Sequence, residues 1–184
     1  MMRKLLVLAV VSNMLIACGP KKLETKEDYI AAIVEFEDSL KANAVDVNQL
    51  TDQAIGVSYA EKCLAVYRQF PKTKEAPRYL DKAHVIFASL GMHQRSVLLA
   101  DTLIRNYPLY KNRPMVLESL ATAYDIFLRP RNKEKVKMYY EMLLKEGTNL
   151  PAEQRENITF RLKNIDLSFE ELIDANQAQQ NKFR

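Results

Sequence analysis

The chain is 184 residues long, room for one domain of ordinary size with a real core. Four glycines, seven prolines, no tryptophan and 27% charged residues fit a mostly helical soluble body. The formal charge of +4 falls to +2 if Arg3 and Lys4 leave with a cleaved leader, which is too balanced a sum to point to nucleic-acid binding.

Residues 1–17 have the parts of a secretory signal: Arg3-Lys4, an apolar run over 5–11, and Leu15-Ile16-Ala17 directly before Cys18. The run is short of the roughly 20 apolar residues that a transmembrane helix needs. Leu15-Ile16-Ala17-Cys18 resembles the lipobox of bacterial lipoproteins. That resemblance implies cleavage before Cys18, a diacylated thiol and, often, an acylated new amine. One acyl chain holds a protein only marginally, at about 0.8 kcal/mol per buried CH₂, whereas two or three anchor it stably. The covalent lipid on Cys18 is the one non-protein group expected; no cofactor is. Residues 18–25 then form the lipidated cysteine and a short polar tether. Gly19 stands where an Asp would, by resemblance to the enterobacterial sorting rule, imply retention in the inner membrane, so an outer-membrane, periplasm-facing anchor is expected. With Cys18 lipidated, Cys63 has no disulfide partner.

The helical body is expected over residues 26–175. Thr25 and Asp28 have capping-box spacing, and Tyr29, Ile33, Phe36 and Leu40 follow at helical intervals until about Asn43. A second helix is predicted over 49–70, stopped by Pro71, with Cys63, Val66, Tyr67 and Phe70 apolar. The third, over 74–90, carries Leu80, Ala83, Phe87 and Leu90 and ends at Gly91, which suits a C′ position. The fourth, over 92–107, packs back through Val97, Ala100, Leu103 and Ile104. A fifth helix over 113–128 repeats the third at an offset of 40, Leu120, Ala123 and Phe127 matching Leu80, Ala83 and Phe87. A sixth over 132–145 repeats the fourth, with Val136, Tyr140 and Leu143 matching Ser96, Ala100 and Leu103. After Pro151 a seventh helix shows Ile158, Leu162, Ile165, Phe169 and Leu172 on one face, and residues 176–184 read as a flexible tail.

Two matched hairpins at one offset resemble tetratricopeptide (TPR) repeats, with Leu80, Ala83, His84, Phe87, Ser96, Ala100 and Pro108 in the slots of one unit and Leu120, Ala123, Tyr124, Phe127, Val136 and Tyr140 in the next. The step of 40 exceeds the usual 34, and it keeps a HEAT-like solenoid open as the alternative. The expected fold is therefore all-α: a TPR-like α-solenoid of about seven antiparallel helices, closed by a C-terminal capping helix. In architecture the chain is also similar to the TPR lipoprotein of the outer-membrane β-barrel assembly machinery.

Chemistry needs a constellation, and none is present: no G-x-S-x-G, no phosphate-cradling glycine loop, no H-E-x-x-H and no C-x-x-C. His84 and His93 lack ligand spacing, so no metal is expected, and Cys63 falls on an apolar stripe. A non-catalytic scaffold binding a protein partner in the envelope is expected, with the membrane met through the lipid and with no nucleic acid or small-molecule substrate. A subunit of an outer-membrane protein assembly complex and a purely structural lipoprotein are the alternatives. TPR proteins take partner segments in a groove lined by the first helix of each hairpin. By register the resemblance implies Arg78, Asp81, Val85, Ala88 and Ser89 there from the third helix, and Glu118, Ala121, Asp125, Leu128 and Arg129 from the fifth. The basic run Arg129, Arg131, Lys133, Lys135 and Lys137 reads as a solvated connection or as a contact for an acidic partner or lipid head groups.

Overall fold

A computed structural model describes residues 23–43, 52–147 and 149–174. The leader 1–17, Cys18, positions 19–22 of the tether, Gln49 at the expected start of the second helix, Thr148 and the tail 176–184 lie outside the described residues. Among the described residues the protein is all-helical, without a strand. The helices are α1 (Lys26–Ala42), α2 (Gln53–Gln69), α3 (Ala76–Ser89), α4 (His93–Asn106), α5 (Arg113–Thr122, prolonged by a π-helical turn, Ala123–Phe127), α6 (Lys133–Glu146) and α7 (Ala152–Lys163). A further helical stretch covers residues 169–174.

Local chemistry sets most of these ends. Thr25 and Asp28 form the capping box, the Asp28 N–H donating to Thr25 Oγ1 at 3.2 Å and the Thr25 N–H to Asp28 Oδ2 at 3.0 Å. Asp52 caps α2 by accepting from the Ile55 N–H at 2.9 Å, so that helix starts at Gln53. Asn132 does the same for α6 through the Lys135 N–H. Gly91 ends α3 at φ 71°, with the Met92 N–H donating to Phe87 O at 2.8 Å and the Gly91 N–H to Ala88 O at 3.0 Å, the paired bonds of a Schellman motif. Pro77 and Pro114 lie in the first turns of α3 and α5, where no helical N–H is forfeited. Residues 71–75 are turns, so α3 begins at Ala76 rather than near residue 74.

Each helix packs chiefly on the one before it and the one after it. The 40-residue register reappears as burial: Leu80, Ala83, Ala100 and Leu103 are fully enclosed, as are Leu120, Val136 and Leu143. Each of the leucines and the valine among them contributes roughly 1.5–3 kcal/mol relative to exposure. Two polar knots brace neighbouring helices beside this core. Lys82 Nζ donates to Glu37 at 2.7 Å and to the Tyr59 hydroxyl at 2.6 Å, joining α1, α2 and α3. Lys135 Nζ donates to the Tyr124 hydroxyl at 2.6 Å, and the Tyr139 hydroxyl donates to Asp101, joining α4, α5 and α6. Inside the α3–α4 hairpin, His84 Nδ1 meets Ser96 Oγ at 2.8 Å; burial holds this imidazole below its ordinary pKa and therefore neutral.

Two expectations about helix course are corrected. The fifth helix does not stay α-helical: the Leu128 N–H reaches back to Ala123 O at 2.9 Å, an i→i+5 bond that inserts one extra residue into the turn. Side chains after Tyr124 are rotated out of register, so Phe127 stands 52% exposed although its counterpart Phe87 is fully buried. The seventh helix is interrupted at 164–168. There Arg161 Nη1 donates to Asn164 O at 2.7 Å and Nη2 to Leu167 O at 2.9 Å, holding a turn. A second capping box, the Glu171 N–H to Ser168 Oγ and the Ser168 N–H to Glu171 Oε2, then opens the last helical stretch.

Candidate functional site

Two open cavities lie between successive odd-numbered helices. The first, of about 400 Å³, sits between the end of α3, the start of α4 and α5, and its walls include Ala88, Ser89, His93, Met115, Glu118 and Phe127. The second, of about 540 Å³, sits between α5, α6 and α7 and includes Glu118, Tyr140, Glu153, Gln154, Asn157, Phe160 and Phe169. Glu118 belongs to both walls, so the two form successive chambers along the α3–α5–α7 side.

The π turn shapes the first chamber. By rotating Phe127 outward it lays that ring flat on His93, centroids 4.3 Å apart and planes 8° from parallel. Met115, 70% exposed, lines the same chamber. In the second chamber Gln154 Nε2 donates to Glu118 Oε1 at 2.8 Å, while Phe160 and Phe169 offer exposed ring surface. Its floor is Asp125, whose carboxylate accepts from Arg161 Nε at 2.6 Å, from Arg161 Nη2 at 2.7 Å and from Arg131 Nε at 2.6 Å. Burial pushes the Asp125 carboxyl upward, but the Arg161 and Arg131 hydrogen bonds outweigh it and hold the group below the usual aspartate range.

The residues expected to line a groove divide accordingly. Ala88 and Ser89 line the first chamber, and Glu118 lines both. Val85 is exposed on α3, and Arg78 is exposed with its guanidinium 6.0 Å from the Tyr79 ring centroid. Asp81 accepts from the Tyr110 hydroxyl at 2.9 Å. Ala121 is fully buried and Leu128 packs on the core, so neither presents a side chain to a groove. Asp125 borders the second chamber at only 3% exposure and is saturated by two arginines: it is a structural anchor rather than an open contact. The α-helical register that placed these three outward fails at the π turn for Asp125 and Leu128, while Ala121 lies beside Leu117 and Leu120 on the buried face of α5.

The basic run is spent within the chain. Arg129 faces Glu170 at 3.4 Å, Arg131 Asp125 at 2.6 Å, Lys133 Asp166 at 3.0 Å, Lys135 Asp101 at 3.9 Å and Lys137 Glu141 at 3.9 Å. Arg129 Nη1 also donates to the Ile126 and Leu128 carbonyls, satisfying acceptors at the end of the π turn. Lys133 and Lys135 thus tie α6 to other elements, Arg129 and Arg131 hold the turn before it, and Lys137 pairs within α6 itself.

Met115 and Phe160 escape the sequence reading, although both are apolar residues off their helix's apolar stripe, which is the signal that marks them. Among the described residues no group of His, Cys, Asp and Glu could hold a metal ion, and no helix is long and apolar enough to cross a membrane. Cys63 is buried, and burial pushes its thiol up to about 12. No family model, curated protein or solved structure matches this chain.

Proposed function

We propose that this chain is a membrane-anchored, non-catalytic protein-binding scaffold of the bacterial envelope, a TPR-like α-solenoid that holds an extended partner segment along α3, α5 and α7. The observation that carries the reading is the pair of chambers that share Glu118 and expose Met115, Phe127, Phe160 and Phe169. Exposed aromatic and methionine side chains in a recess are what a partner's anchors displace water from. The 40-residue register of buried positions and the packing of each helix on its chain neighbours support the repeat architecture. Cys18, with the lipobox-like residues before it, supplies the anchor in this reading, at the outer membrane and facing the periplasm.

A photo-crosslinking amino acid at Met115 or Val85, activated in intact cells and followed by mass spectrometry, tests the groove. The expected result is one specific protein adduct from Met115; the same background at Met115 as at exposed Leu109, in a loop away from the chambers, would defeat the reading. The anchor is tested separately by acyl labelling of wild type against Cys18→Ser, where equal incorporation rules out lipidation at that cysteine.

A further inference from the structure

The two chambers carry a charge imbalance that specifies their occupant. The first has Glu118 as its only carboxylate, and its sole titratable nitrogen, on His93, belongs to a ring stacked on Phe127. The second has Glu118 and Glu153 besides Asp125, which is already held by Arg131 and by the one cation of the lining, Arg161. That guanidinium is already directed at Asp125 and at the carbonyls of Asn164 and Leu167. Glu118 receives a neutral donor, Gln154, and neither it nor Glu153 has an ion-pair partner among the described residues. The lining is therefore net negative where the chambers meet, and its neutral parts are aromatic.

We infer that the occupant is a protein segment carrying Lys or Arg next to aromatic or aliphatic residues, with its cation seated between Glu118 and Glu153. This rests on the groove reading and adds to it the chemistry of the partner. An acidic segment would set like charges together, and a neutral one would bury the Glu118 carboxylate without compensation. A cation gains both the carboxylates and the ring faces of Phe160 and Phe169, which attract positive charge through their quadrupoles.

The test uses the full-length protein in nanodiscs of zwitterionic phospholipid, so that the lipid does not attract charged probes. Short fluorescent peptides of identical aromatic content carry lysine, glutamine or glutamate at the same positions, and binding is read by anisotropy. The lysine peptide is expected to bind about tenfold more tightly than the glutamine peptide, as two partly desolvated pairs allow. Its advantage should shrink as salt is raised well past the physiological range, where the screening length falls from about 8 Å toward 3 Å. Combined Glu118→Gln and Glu153→Gln should bring the lysine peptide down to the glutamine peptide's level. A Gln at 118 keeps an acceptor for Gln154, and an unchanged melting temperature certifies the fold. If glutamine and lysine peptides bind alike, the charge inference is overturned while the groove stands. If no peptide binds and Met115 yields no adduct, the groove reading itself falls. If sedimentation shows a dimer that Met115→Asp dissociates, a second copy is the occupant and the inference is overturned.

Discussion

Asp125→Asn tests the anchor beneath the second chamber. In the wild type the Asp125 carboxylate takes three charge-assisted hydrogen bonds from two guanidinium groups whose side chains are 7% and 13% exposed. The substitution removes the negative charge and leaves Arg161 and Arg131 enclosed without compensation. Breaking a buried pair from one side costs about 3–5 kcal/mol. For a chain of this size each kcal/mol moves the melting temperature by roughly 2–4 °C, so the drop should be on the order of 6–20 °C. Differential scanning calorimetry and urea melts of both proteins at pH 7 measure it. The pH dependence follows from the direction of the Asp125 shift. An unfolded aspartate titrates near about 3.9, and the folded group titrates lower. The wild-type advantage over Asp125→Asn is therefore full above that unfolded value and is lost as pH falls through the folded one. Asp125→Leu combined with Arg161→Met should recover part of the loss, because an apolar replacement of a buried pair is often close to neutral. A single variant that melts within about 1 °C of wild type at pH 7 would refute the claim that this triad anchors α7.

Other outcomes follow from the core. Ala100→Arg buries a guanidinium at a fully enclosed helix crossing, and loss of a cooperative melt by circular dichroism is expected; an unchanged transition would refute the α3–α4 packing. Gly91→Ala places a Cβ at φ 71° with no neighbour within 4 Å, so its cost is conformational alone, about 1 kcal/mol or roughly 2–4 °C, checked by thermal melting. Cys63 should resist iodoacetamide in the native protein at pH 8 and react in denaturant, as peptide mapping would show, because its thiol is buried and stays protonated; rapid native labelling would contradict the packing of α2.

The sequence by itself determined the all-helical class, the order and approximate bounds of the first six helices and most of the buried stripe. The capping box at Thr25 and Asp28, the stop at Pro71, the Schellman glycine Gly91 and the register of Leu80 with Leu120 are interactions among residues a few positions apart, or periodicities that backbone hydrogen bonding imposes directly. The box at Ser168 and Glu171 is equally local, but the continuous apolar stripe from Ile158 to Leu172 hides the break that it marks in the seventh helix. The fate of Asp125 was decided only by tertiary structure. Its partner Arg161 lies 36 residues away, and a carboxylate on an amphipathic helix reads as solvated until that cation is brought to it. The same holds for three members of the basic run, Arg129, Lys133 and Lys135, which face Glu170, Asp166 and Asp101 from other elements. The π turn that carries Asp125 inward and Phe127 outward breaks the periodicity on which a sequence reading depends, and each chamber beside it is walled by residues of three helices that only tertiary packing brings together.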